Sequence, residues 1–367
     1  MDFTFTAEQE MLRDSLGKLL AQSYSFDQRQ AIVRSPAGHS GVIWRQLGEM
    51  GLLALPFAEA QGGLGGSASD LIAIGELLGR HLVVEPYFGS ILLGGAALAL
   101  GGDRTRALLD TVIAGDALVA LAHEERHGIG PVAMLGTTLA GGAEGLRLNG
   151  EKRLVLSGNE ARALIVSARA GERLALVKVD PAASGVSINA YTTVDGRRAA
   201  TVTFANVIVT PADVLSDNAE AALDRVIETA TLALCAEGVG AMGALLEAAS
   251  TYAATRKQFG TPIGAFQVIA HRLADMKIAH AKAHALLLYT TALVEAGQGA
   301  GMGDARAIAL LKAQIGRLGR DLGESAVQIH GGIGMTDELA VGHYHKRILA
   351  IDAMLGSSDY HLRRVGR

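Results

Sequence analysis

Two short stretches hold the residue types best suited to binding chemistry. The first is Arg256-Lys257-Gln258-Phe259-Gly260-Thr261-Pro262-Ile263-Gly264, with a cation, an amide and an aromatic ring within four residues. Arginine grips a pyrophosphate through paired N–H donors, so an anionic cofactor with an aromatic head would suit this set. An exposed helix end would use the same residues, with cations favouring the helix dipole and Gly260 and Pro262 stopping the helix. The second stretch is Gln328-Ile329-His330-Gly331-Gly332-Ile333-Gly334. Three glycines in four positions let backbone come close to a ligand, and a helix C-cap would use them equally well.

Other constellations carry less. Gly238-Val239-Gly240-Ala241-Met242-Gly243 fits G-x-G-x-x-G. A dinucleotide loop needs a strand before it and an acid about 20 residues later, and Ile263 beside Pro262 stands there instead. Ala- and Leu-rich flanks predict one helix with small residues at a close helix contact. Gly63-Leu64-Gly65 also lacks a strand before it. His280 and His284 share a helical face without a third ligand at useful spacing, and His343 and His345 also lack partners, so no metal site is expected. No G-x-S-x-G elbow occurs. Cys235 is the one cysteine, which excludes a disulfide framework and a Cys-based zinc site.

The elements that must position these residues fall into three textures. Residues 1–115 read as helical. Thr6 with Gln9 makes a capping box, and Leu12, Leu16, Leu19 and Leu20 follow on one face. Leu71–Leu82 resumes a helical pattern after the Gly62–Gly66 turn. Residues 116–213 change period. Leu118–Leu121, Leu146–Leu148, Leu154–Leu156, Leu164–Val166, Leu174–Val179, Val186–Ala190 and Ala200–Val209 read as short strands of an antiparallel barrel or sandwich. Residues 214–367 are helical again. Ile308, Leu311, Ile315, Leu318 and Leu322 form one stripe, and Phe266, Ile269, Leu273 and Met276 another, as in a helix bundle. Helices, then strands, then helices make an α+β chain and argue against a doubly wound sheet.

Composition bounds the function. The 367 residues suggest two or three domains at roughly 150 residues each. The chain is 49% hydrophobic and 4% aromatic, with 46 glycines, so its core is built from small and aliphatic side chains. A net charge of −4 without a basic block lowers the expectation of nucleic-acid binding. No secretory signal is read at the N-terminus. Pro86–Gly102, the longest run free of charge and histidine, would span about 25 Å as a helix, short of a bilayer core. A soluble cytoplasmic protein is expected.

Together these motifs resemble the acyl-CoA dehydrogenase family over nearly the whole chain. Gly51-Leu52-Leu53-Ala54-Leu55-Pro56 with Gly62–Gly65 is similar to its N-terminal helix-to-loop passage. Ala120-Leu121-Ala122-His123-Glu124 and Gly150-Glu151-Lys152 to Val155 are similar to its two flavin-side strands. The Arg256 and Gln328 stretches are its two most specific signatures. The resemblance implies an α-helical domain, a β-barrel and a four-helix bundle. It also implies FAD, an acyl-CoA substrate, an electron-transfer flavoprotein as acceptor, and an oligomer in which one chain completes its neighbour's FAD site. By position, Arg256 would meet the FAD pyrophosphate, and Gln258 and Phe259 the adenosine end. Gln328, Gly331 and Gly332 would meet the adenine side. Ser357, at a threonine position of the family, joins these cofactor-binding residues.

The departures concern the reacting end. The family removes an α-proton with a glutamate at one of two positions, and Leu355 and Ala230 occupy them here. Leucine takes no proton, and losing a positioned base should cost at least ~3 kcal/mol in the barrier. The family's flavin-flanking Trp-Ile-Thr aligns with Leu154-Val155-Leu156, and His123 stands where a small hydroxyl residue is common. The single tryptophan, Trp44, lies in the N-terminal region. The first expectation is therefore a hetero-oligomeric α2β2 dehydrogenase in which a partner chain carries the glutamate. The second is a homodimer or homotetramer with a relocated base, Glu228 or Asp359. The third is a non-catalytic binding or scaffold protein on this fold.

Overall fold

The computed structural model describes residues 4–126, 132–142, 145–297 and 303–366. The helices are α1 (Ala7–Ser23), α2 (Phe26–Arg34), α3 (Gly41–Glu49), α4 (Ala68–Arg80), α5 (Ala96–Ala99), α6 (Arg106–Ile113), α7 (Glu220–Thr255), α8 (Gln267–Ala296), α9 (Gly303–His330), α10 (Ala340–Ala353) and α11 (Ser358–Val365). Eight strands lie between α6 and α7. They are β1 (Val119–Ala122), β2 (Thr138–Gly142), β3 (Gly145–Leu156), β4 (Ala163–Ala170), β5 (Arg173–Val179), β6 (Val186–Thr192), β7 (Arg198–Val209) and β8 (Val214–Ser216). A small hairpin, β9 (Lys257–Gln258) and β10 (Thr261–Pro262), separates α7 from α8. The chain forms two compact units: Met1–Ala31 with Ser67–Val83 and Thr231–Arg367, and Ile32–Gly66 with Val84–Ala230.

The second unit is built on the sheet, in the order β6-β7-β3-β2-β4-β5-β8 with β1 beside β4. Leu148, Val155, Leu164, Val166, Val177, Val202 and Phe204 fill its core. Most pairings are antiparallel, as the strand spacing leads one to expect. β1, however, runs parallel to β4 from Val119↔Ala163 to Ala122↔Val166, and β2 meets β4 in parallel. The sheet is therefore mixed. The expected strands Leu146–Leu148 and Leu154–Leu156 are one strand, β3. Its register against β7 shifts at Leu148/Gly150 and Lys152/Val155, so irregularities absorb the turn-forming Asn149-Gly150. Tyr87–Gly95 forms a fully buried π-helical segment beside β1, where the Ser90 hydroxyl accepts from the Val119 N–H at 2.9 Å.

In the first unit the N-termini form where the sequence places them. Thr6 and Gln9 make a complete capping box on α1, and Ser67 with Asp70 caps α4. The Gly238–Gly243 run lies inside α7, as a helix-contact reading requires. A Cβ on Gly79 would run into the Glu237 carbonyl, and one on Gly240 into the Glu76 carbonyl, so α4 and α7 cross backbone to backbone. α9 packs against α8, α10 and α11. Its stripe is buried at Ile308, Leu311, Ile315 and Leu322. The α8 stripe is only partly covered, with Met276 buried but Ile269 and Leu273 half-buried. α7 is long and apolar enough to cross a membrane by length and composition, yet 78% of its apolar stretch is buried in the protein.

Candidate functional site

The end of α7 is shaped as a presented tip. Arg256 closes the last turn, its N–H donating to the Tyr252 carbonyl at 2.8 Å. Gln258 then pairs with Thr261 across the β9–β10 hairpin. The two hairpin-tip residues, Phe259 and Gly260, both have left-handed backbone, at φ 54° and 81°. A two-residue turn of this kind requires positive φ at both central positions. Glycine adopts it freely, whereas phenylalanine is held there at a cost of roughly 1–2 kcal/mol. The Phe259 side chain is 93% exposed and meets only the edge of Phe266, with centroids 6.2 Å apart.

The second signature lies at the end of α9. His330 is buried, and its Nδ1–H donates to the Ala326 carbonyl at 2.8 Å. Its ring stacks on Tyr252 at 4.3 Å, which brings the C-terminal ends of α7 and α9 together. Gly331 takes φ 66°, and a Cβ on Gly331 or Gly332 would meet nothing within 4 Å. Gly334 is instead packed against the Val327 carbonyl, so it serves the turn rather than an open face. Arg256, Gln258 and Gln328 are exposed. Among the described residues their side chains make no hydrogen bond or ion pair.

The vacant base position sits on a firmly held turn between α10 and α11. Leu355 is 4% exposed and has φ 54°. Lys312, fully buried, donates to the carbonyls of Asp352 at 3.0 Å and Gly356 at 2.8 Å. His361 Nε2–H donates to the Leu355 carbonyl at 2.9 Å, and burial pushes this imidazole down to about 4. The Asp352 carboxylate accepts from the Ser358 N–H at 3.0 Å and from Arg320 at 2.7 Å. Burial alone would raise its pKa. The Ser358 hydrogen bonds, with Lys312 and Arg320, outweigh that and hold it low. None of these groups engages the Leu355 side chain, which offers no proton acceptor.

The remaining expected residues are dispersed. The Ser357 hydroxyl caps α11, accepting from the Tyr360 N–H at 3.3 Å. Ser357 and Asp359 line a cavity of about 380 Å³ with Arg317, Arg320, Asp321 and Asp352, apart from the Arg256 and Gln328 set. Asp359 has a 75% exposed side chain, 3.9 Å from Arg317. Glu228 is half-buried on α7 and already engaged in an interaction, and Ala230 is fully buried.

On the sheet side, Leu154 lies at the β3 irregularity with φ 49°. Its N–H donates to the Tyr191 hydroxyl at 3.2 Å, and Val155 and Leu156 are buried. Behind them lies a polar cluster that sequence reading missed. Lys152, fully buried, donates to Glu125 at 2.9 Å, the His123 carbonyl at 3.1 Å and Ser167 at 3.2 Å. His123 Nδ1 meets the Ser167 hydroxyl at 2.8 Å. Burial, with Lys152 beside it, pushes His123 down to about 3, so it is neutral at pH 7. Glu125 is held at about 2: burial opposes this, but bonds from Lys152, Thr137 and Gly136 prevail. A lysine inside a strand pattern was the available signal. Its partners come from β4 and from the segment after β1, which spacing does not reveal. The two histidines of the α8 face also have distant neighbours. His284 meets Glu76 of α4, and no group of three potential ligands forms among the described residues.

Comparison with known proteins places this geometry. Residues 6–106 match the acyl-CoA dehydrogenase N-terminal domain and residues 220–367 match the acyl-CoA dehydrogenase C-terminal domain. The chain is 29% identical to acyl-CoA dehydrogenase IpdE2 of Mycolicibacterium smegmatis, covering 98% of this chain and 97% of that one. Among solved structures it resembles the ChsE4-ChsE5 complex of Mycobacterium tuberculosis, with TM-score 0.87, 25% identity, and coverage of 100% and 98%. It also resembles a variant of the Tcur3481-Tcur3483 steroid acyl-CoA dehydrogenase, with TM-score 0.85, 29% identity, and coverage of 98% and 96%.

Proposed function

The chain belongs to the acyl-CoA dehydrogenase family, and we propose that it serves there as the subunit completing the FAD site of a second, glutamate-bearing chain. FAD is the cofactor, and the chain is a flavin-dependent oxidoreductase by family. When bound, FAD supplies the acceptor for the hydride leaving the β-carbon of an acyl thioester.

One contrast carries the reading. The groups suited to the ADP half of FAD are exposed: the Arg256 guanidinium and the Gln258 and Gln328 amides, which make no side-chain hydrogen bond among the described residues, and the open backbone face at Gly331 and Gly332. These fit a pyrophosphate and the polar edges of an adenosine. Both positions suited to a base, Leu355 and Ala230, are apolar and buried. In this role Arg256 orients the pyrophosphate and the Gln328–Gly332 turn bounds the adenosine end. The proton is taken by the partner's carboxylate. Two solved relatives are complexes of differently named chains, which supports a hetero-oligomer, and the α2β2 arrangement is the stoichiometry we propose. One of them is described as a steroid dehydrogenase, so a polycyclic acyl-CoA belongs in the substrate panel. A self-sufficient homo-oligomer would need Glu228 or Asp359 as base, and neither placement favours it.

Arg256→Ala tests the half-site. Removing a charge-assisted phosphate contact should weaken FAD retention by the co-purified complex about tenfold to a hundredfold. The melting temperature should hardly move, because Arg256 is exposed and makes no side-chain hydrogen bond among the described residues. Unchanged flavin absorbance per complex would contradict the assignment.

A further inference from the structure

We propose that Glu76, Arg13 and His284 form a pH-dependent latch that ties α8 to the crossing of α4 and α7. Glu76 lies on α4 at that crossing, where its own carbonyl abuts Gly240 of α7. Its carboxylate, 11% exposed, receives Arg13 of α1 at 3.1 Å. It also meets His284 Nε2 of α8 at 3.1 Å. Arg13 is itself steadied by the Phe5 ring, 4.5 Å beneath it. One buried carboxylate thus holds two other helices.

The two ties differ in kind. Arg13 stays charged at every accessible pH and donates to Oε2 in an aligned hydrogen bond. Glu76 Oε1 has no aligned hydrogen-bond donor among the described residues. At 3.1 Å without hydrogen-bond alignment, the His284 contact gains most from charge and weakens once the imidazole loses its extra proton. Contact with Glu76 raises the His284 pKa, against burial and Arg13. Glu76 is held low: burial would raise it, but His284 and Arg13 prevail.

The other groups facing this cluster sharpen the switch. His280, one turn before His284 on α8, stacks beside it with centroids 6.3 Å apart. Burial, together with His284 and Lys277 of α8, lowers its pKa, so on acidification it protonates after His284. α7 presents backbone at Val239, and Gly243 with no side chain, against the His280 ring. A raised folded-state value means the latch is fully present below the ordinary histidine value of 6.5. It is lost as pH rises through the higher folded value.

Amide hydrogen exchange along α8, corrected for intrinsic rates and measured on the full chain in its purified assembly, tests this. Wild type should open α8 about twofold to fivefold more at high pH than near pH 6, the scale of a half-exposed ion pair. His284→Gln should remove the difference and behave at both pH values like wild type at high pH. His284→Lys, always charged, should keep α8 protected at both. His284 is 40% exposed, so both variants should fold. Wild-type protection independent of pH, or pH dependence retained in His284→Gln, would overturn the latch.

Discussion

Lys152 shows how much one buried charge fixes. It has no exposed surface and supports Glu125, Ser167 and the backbone of His123 together. Lys152→Met should cost about 3 kcal/mol in urea unfolding, because it leaves several polar groups without their donor. The acid limb of stability should change too. Glu125 is held at about 2, below its ordinary 4.5, so its contribution is present above 4.5 and fades as pH falls toward 2. Stability curves between those limits should therefore flatten in Lys152→Met. An unaltered acid slope would show that Gly136 and Thr137 alone hold this carboxylate. At the same scale, the Arg256 and Gln328 stretches, proposed to face the cofactor, stood out in the sequence because each is contiguous. The supports of Leu355 were not, since Lys312 and His361 reach it from two different helices.

Among the elements, the glycine of a helix crossing and the glycine of an open turn differ in what they carry. Gly240 touches the backbone of Glu76, whereas Gly332 faces open space. Gly240→Ala should destabilise the chain by about 3 kcal/mol, at the upper end of ordinary overpacking. Gly332→Ala should leave thermal unfolding nearly unchanged. Equal effects of the two in parallel melts would contradict the helix crossing. The helices were readable in outline because capping residues and apolar stripes are local. The sheet was less so. Asn149-Gly150 signals a turn, but Gly150 takes φ 144° at an irregularity and β3 continues. The parallel β1–β4 pairing joins residues more than 40 positions apart, and no local pattern encodes it. Nor did the apolar run Tyr87–Gly95 announce a π-helix, because the wider hydrogen-bond spacing that defines it, as from the Ala96 N–H to the Ile91 carbonyl, has no residue pattern of its own.

For the whole molecule, the proposed half-site rests on one contrast: Arg256, Gln258 and Gln328 are exposed, whereas Leu355 and Ala230 are apolar and buried. The Arg256 and Gln328 stretches and Leu355 lie in one compact unit, and Ala230 and the Leu154–Leu156 strand in the other. A chain of this kind is expected to gain its activity by assembly. The most direct test is flavin content and reduction, measured on this chain alone and on the same chain co-expressed with a glutamate-bearing dehydrogenase chain. The co-purified complex should carry FAD, and its flavin should bleach anaerobically on adding an acyl-CoA from a panel that includes polycyclic side chains. The isolated chain should hold little flavin and show no bleaching. An isolated chain that is fully loaded with FAD and turns over acyl-CoA would contradict the account.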